Sequence, residues 1–97
     1  MRLIIDRRVF LDLEYAMEYY LSEVGADIAR EFYNEFRRCQ RLIAERPLAL
    51  PVVRDGIRRI NFHRFPYHLL YKLGTDESLT ILVLKHDRRD PDIGLDR

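Results

Sequence analysis

Two clusters of cations hold the residues best equipped for chemistry. Residues 57–72 carry Arg58, Arg59, Arg64 and Lys72 without a single acid, and beyond the apolar run 79–84 come Lys85, His86, Arg88 and Arg89. Fifteen of the seventeen basic residues are arginine, whose planar fork matches a carboxylate or phosphate better than a lysine ammonium does. His86 adds a group that exchanges protons near neutral pH. Such a set can bind an anion, and it contains one means of moving a proton. The plainer reading is structural. His86 would then be bonded at a strand end, and Arg58, Arg59 or Arg64 would pair with helix acids such as Glu14 or Glu35. Arg88 and Arg89 would be neutralised by their neighbours Asp87 and Asp90.

The totals limit the setting for that chemistry. A chain of 97 residues makes one domain, and burying roughly 60–70% of its unfolded surface gives a core without staples. Its net charge of +1 hides an uneven layout, and a locally basic sheet in a neutral protein points to an anionic partner. The single cysteine, Cys39, excludes an internal disulfide and sits in an apolar helical pattern, as a small buried hydrophobe would. Histidines scattered at 63, 68 and 86 have no metal-binding spacing, so no metal or cofactor is implied. The apolar run 3–5 is too short for a signal peptide and no stretch approaches a membrane span. A soluble, cytoplasmic protein is expected.

The elements that must position these residues follow from periodicity. RLII (2–5) reads as a short strand ending at Asp6, a helix N-cap. Val9, Leu13, Ala16, Met17, Tyr20, Leu21 and Val24 step by three and four, the helical period. Gly25 is placed to supply a left-handed cap. A second helix starts near Ala26 or Asp27 with the stripe Ile28, Phe32, Phe36, Cys39 and Ile43, and Pro47 stops it. Residues 47–56, with two prolines and a glycine, read as a loop. Residues 57–65, 67–73 and 79–84 read as strands, with Pro66 at the first break and GTDES at the second. A regular strand over 57–65 puts Arg58 and Arg64 on one face and Arg59 on the other. Tyr67 and Tyr71 read as core, and Tyr19 and Tyr20 as the seal of the helix pair. The expected class is α+β: a short N-terminal strand, an antiparallel helical hairpin, then a three-stranded antiparallel meander. The helices cover one face of this small sheet and leave the other open.

Three stretches then carry a resemblance. "YY" at 19–20, "RFPYHLLYKL" at 64–73 and "ILVLKHDRRDP" at 81–91 resemble the ParE/RelE superfamily of bacterial toxins, and within it the ParE-like, plasmid-stabilisation branch. The likeness runs from about residue 2 to residue 91, in element order as well as motif. It implies the toxin of a type II toxin–antitoxin module, held inactive by a cognate antitoxin whose C-terminal segment folds along the toxin. DNA would be contacted only indirectly, through the antitoxin. RelE-like members cleave mRNA on the ribosome; ParE-like members poison DNA gyrase. Fold alone does not choose between these targets.

The residues weigh toward binding. Cleavage through a 2′-hydroxyl needs a base, cations for the phosphate charge and an acid for the leaving oxygen. RelE-like enzymes commonly add an aromatic or histidine near the C-terminus, and here no tyrosine, histidine or tryptophan follows His86. Where ParE-like relatives commonly place tyrosine and tryptophan, this chain has Asp92, Ile93, Gly94 and Leu95. The expected target-binding set is Arg58, Arg59, Arg64, Lys85, His86, Arg88 and Arg89. His86, Arg64 and Arg88 are the candidates for catalysis if the protein is instead an mRNA endonuclease. A third alternative is an antitoxin-binding remnant without toxicity.

Overall fold

The computed structural model describes residues 1–89 and 91–97. Strand β1 (Arg2–Ile5) runs into Asp6, whose carboxylate accepts the Arg8 N–H at 2.9 Å and caps helix α1 (Arg7–Glu23). The Arg8 guanidinium grips the same carboxylate and holds it well below the usual range. Val9, Leu13 and Ala16 are buried, with Met17 and Tyr20 packed on the same cluster. Leu21 and Val24 do not complete the stripe. Both are exposed, and Leu21 lines a groove between the two helices. Tyr19 is also 55% exposed, so Tyr20 alone seals the pair, against Phe32 and Phe65.

Gly25 adopts φ 148 and ψ 168, an extended conformation open in practice only to glycine, rather than the left-handed cap. Its N–H donates to Tyr20 O and its carbonyl accepts from Ala29 N, so one residue closes α1 and opens α2 (Ala26–Glu45). That helix buries Ala29, Phe32, Phe36, Cys39 and Ile43. Ala29, not the half-exposed Ile28, begins the stripe. Burial pushes the Cys39 thiol up to about 12, so it stays neutral and packs as a small hydrophobe.

The sheet has five strands in the order β1-β5-β4-β3-β2. Its meander of β3 (Ile57–Asn61), β4 (Tyr67–Leu73) and β5 (Ser78–His86) is antiparallel throughout. Two strands extend it, the expected β1 and one that was not expected. β1 pairs parallel to β5, from Arg2 with Ser78 to Ile5 with Ile81, and the helical hairpin serves as the long crossover a parallel pair requires. Within the expected loop lies β2 (Val52–Arg54), joined to β3 by Asp55 and Gly56 at φ 47 and 76. Positive φ at both positions is the mark of a two-residue type I′ hairpin. A further correction concerns Arg64. β3 ends at Asn61, and Arg64 takes φ 67 in the turn to β4, so it shares no strand face with Arg58. Phe62 N donates to Tyr67 O across that turn, and Pro66 occupies the position before β4.

Against the helices, the sheet presents Ile60, Phe62, Leu69, Tyr71, Leu79, Ile81 and Leu84. A bulge sends one extra residue of β5 to the other side: Leu70 faces Val83 and Tyr71 faces Ile81, leaving Leu82 between. Ile57, Leu70, Leu82 and Val83 therefore form a second apolar patch. The face expected to be open is partly roofed by residues 91–97. Leu95 packs on the patch, and Gly94 (φ 85) lies so close that an added Cβ would stand 2.7 Å from Val83. Arg97 ties the segment to α1 by a 2.6 Å bond to Asp12, and also donates to Leu82 O. No helix among the described residues is long and apolar enough to cross a membrane.

Candidate functional site

The cations of residues 57–72 are dispersed. Arg58 projects on the helix side of β3, where its guanidinium donates to Leu50 O at 2.6 Å and Leu48 O at 3.2 Å. Carbonyls, not an acid, hold it, and they tie down the loop ahead of β2. Arg64 makes a 3.0 Å ion pair with Glu31 of α2, its side chain 73% exposed. Glu35 is occupied by Arg38 through two bonds and by the His63 N–H. Burial works to raise this carboxyl, but those donors outweigh it and hold it below its usual range. Arg59 alone of the three faces the tail side of the sheet, its Nε on Asn61 at 2.7 Å and a terminal nitrogen 3.4 Å from Asp87.

At the end of β5 the side chains alternate between two surfaces. Lys85 is buried on the tail side, its Nζ donating to Pro91 O at 2.8 Å and Ile93 O at 3.1 Å. His86 points the other way, edge-on to Tyr67 with ring centroids 5.1 Å apart. Its Nδ1 accepts the Arg88 N–H at 3.0 Å. The Arg88 and Arg89 side chains are exposed, and no carboxylate pairs with them among the described residues. Asp87 turns back to His68 and Arg59. Asp90, the other expected neutraliser, lies outside the described residues. Arg89 stands where two concavities meet. One of about 660 Å³ runs along α1 past Leu11, Tyr15, Tyr67 and His86. The other, about 360 Å³, opens on the tail side among Arg54, Arg59, His68, Lys85 and Asp87.

His68 and Asp87 are the pair that sequence reasoning missed. His68 is 3% exposed and its Nδ1 lies 2.7 Å from Asp87 Oδ1. Burial pushes the imidazole below its ordinary value; Asp87 offsets part of this, and Arg59 and Lys85 add to it. Nineteen positions separate the two residues, a spacing with no signature. The signal lay in strand pairing, since His68 faces Lys85 across β4 and β5, and the residue two beyond Lys85 projects to the same side.

On the opposite side of the molecule, Phe10, Leu13, Met17, Leu21, Ala29 and Tyr33 line an apolar groove of about 590 Å³ between the helices. A helical hairpin on a mixed sheet, with cations at one strand end and an open apolar groove between the helices, describes a small α+β domain. A sequence model of the family described as "ParE toxin of type II toxin-antitoxin system, parDE" matches residues 3–91, and the chain belongs to that family. The fold recurs in the chromosomal ParDE toxin–antitoxin system from P. aeruginosa. That structure has 18% identity and a TM-score of 0.75, over 89% of this chain and 95% of that one. The isolated E. coli RelE toxin shares it at 13% identity and a TM-score of 0.60, over 93% of this chain and 87% of that one. The intact E. coli RelBE toxin–antitoxin complex matches at 13% identity and 0.61, over 91% and 98%. A sequence search of curated proteins gave no match.

Proposed function

We propose that the protein is the toxin of a bacterial type II module, working in the cytoplasm by binding and inhibiting DNA gyrase rather than by hydrolysis. The observation that carries this reading is the end of β5, where Arg88 and Arg89 stand exposed, with no acid paired to them among the described residues, beside the Tyr67–His86 contact. Exposed cations next to aromatic surface form an anchor for a protein partner. His86 is a poor base here. With Nδ1 accepting from Arg88, a neutral ring carries its proton on Nε2 and has no lone pair left for a substrate.

Neutralisation by a cognate antitoxin fits the interhelical groove. Phe10 and Leu21 are more than half exposed along it, and such a stripe suits the apolar side of an amphipathic segment. The gyrase anchor and the groove are separate surfaces, so an antitoxin seated in the groove must reach or distort the β5 end to inhibit.

Expression of the chain alone should arrest growth, and co-expression of its antitoxin should restore it. Arg88→Ala with Arg89→Ala should abolish arrest while changing stability by no more than about 0.5 kcal/mol, as expected of exposed side chains. Purified protein should block gyrase supercoiling and leave ribosome-bound mRNA intact. Cleaved mRNA with normal supercoiling would overturn the reading in favour of a ribosome-dependent endonuclease. Normal growth would favour an antitoxin-binding remnant.

A further inference from the structure

The tail-side cleft holds a histidine with one open corner. Asp87 accepts from Nδ1 of His68, so in the neutral ring the lone pair is on Nε2. Nε2 has no protein partner among the described residues, yet no buried side-chain nitrogen or oxygen is left without one. Nε2 must therefore be the part of this otherwise enclosed ring that reaches the cleft, which His68 lines.

The surroundings favour an anion. Four cations line the cleft: Arg54, Arg59, Lys85 and Arg89. Against them, among the described residues, stand Asp87 in the cleft and Asp55 and Asp92 on Arg54. Asp92 binds Arg54 at 2.6 Å, and Asp87 holds Arg59 only at 3.4 Å because His68 takes its closer bond. Lys85 spends donors on tail carbonyls, whereas Arg89 meets no acid among the described residues. The donors approach from three elements: Arg59 from β3, His68 from β4 and Arg89 from the turn after β5. A planar carboxylate satisfies one fork, while a tetrahedral phosphate offers oxygens in all three directions. Val53, Leu70 and Leu95 supply apolar walls, and about 360 Å³ falls in the range of small-ligand sites.

We propose that this cleft is a binding site for a phosphate ester, held by Arg59 and Arg89 and bonded by His68 through Nε2. The ester belongs to a nucleotide or to a nucleic-acid strand. Binding a phosphate makes a protonated His68 the better partner, so the ligand and a proton are taken up together. The site stands or falls independently of the gyrase reading, because its test contains no gyrase.

Imidazole-detected NMR on the full chain at pH 7, titrated with inorganic phosphate, uridine 3′-monophosphate, tetrauridylate and tetrathymidylate, decides the matter. A saturable shift of His68 with proton uptake is expected. Arg89→Gln should weaken binding about tenfold, the loss of one charge-assisted bond, and Arg89→Lys should recover part of it. The Arg89 side chain is exposed and makes no hydrogen bond or ion pair among the described residues, so both variants should remain folded. Equal affinity for the mononucleotide and the tetranucleotides assigns the site to free nucleotides; tighter binding of either tetranucleotide assigns it to a strand. Shifts confined to His63 and His86, or an affinity unchanged in Arg89→Gln, would overturn the proposal.

Discussion

Phe32, Phe36, Leu69, Tyr71 and Ile81 close the helix side of the sheet, each almost wholly buried. The tail side is closed by one short segment resting on Ile57, Leu70, Leu82 and Val83, with Leu95 only partly covered. Apolar packing dominates the first surface. On the second, polar bonds fix the roof: Lys85 to two carbonyls, Arg54 to Asp92, and Arg97 to Asp12. The first can lose little without losing the fold. The second is held by bonds that an ion or a change of pH can weaken, which suits a surface meant to accept something.

Truncating the centre of the helix side should give the largest effect. Phe32 is fully buried and packs against Tyr20, Phe62, Phe65 and Tyr67. Phe32→Ala should cost about 3–5 kcal/mol in denaturant unfolding, a large share of what a domain this size has. On the tail side, Gly94→Ala must place a methyl 2.7 Å from Val83 at φ 85. Overpacking and backbone strain together should cost about 1–3 kcal/mol. Hydrogen exchange should accelerate in residues 91–97 and at the end of β5, and stay slow in α2. Equal acceleration in α2 would show that the two surfaces unfold as one and would break the contrast.

The sequence made the helix side legible because its signals are local. Steps of three and four placed Val9, Leu13, Phe32, Phe36 and Ile43, and Asp6 announced its helix. The tail side was opaque because its contacts are long-range and depend on exceptions to regular strands. A bulge at Leu82 reversed the alternation, and Arg64 left its strand by taking a left-handed conformation that arginine seldom adopts. β2 was legible and missed. Asp55-Gly56 is a strong hairpin signal after the β-branched pair Val52-Val53, but the flanking prolines pointed to a loop. In the candidate site, the motif around 81–91 led to Arg88 and Arg89 at an exposed strand end. It could not reveal that His68, one of three scattered histidines, lies against Asp87.

The smallest expected effect sharpens the contrast most. Burial, only partly offset by Asp87, keeps the folded His68 below the ordinary value of 6.5. The unfolded chain therefore binds a proton as pH falls through about 6.5, where the folded chain still resists it. Stability should decline from there down to the folded value, and then decline no further on this account. Each unit of depression corresponds to about 1.4 kcal/mol. The depressed carboxyls Asp6, Glu35 and Asp76 act in the same direction but lower, since their stabilisation is lost only as pH drops below about 4. Denaturant midpoints measured from pH 8 to pH 5 should thus show one decline, removed in His68→Asn. The charged groups that act on His68 (Asp87, Arg59 and Lys85) all lie on the tail side, so exchange at pH 5.5 should loosen residues 91–97 before α2. A flat midpoint across that range would mean that His68 is protonated in place without cost, and that the tail side is no softer to acid than the helix side.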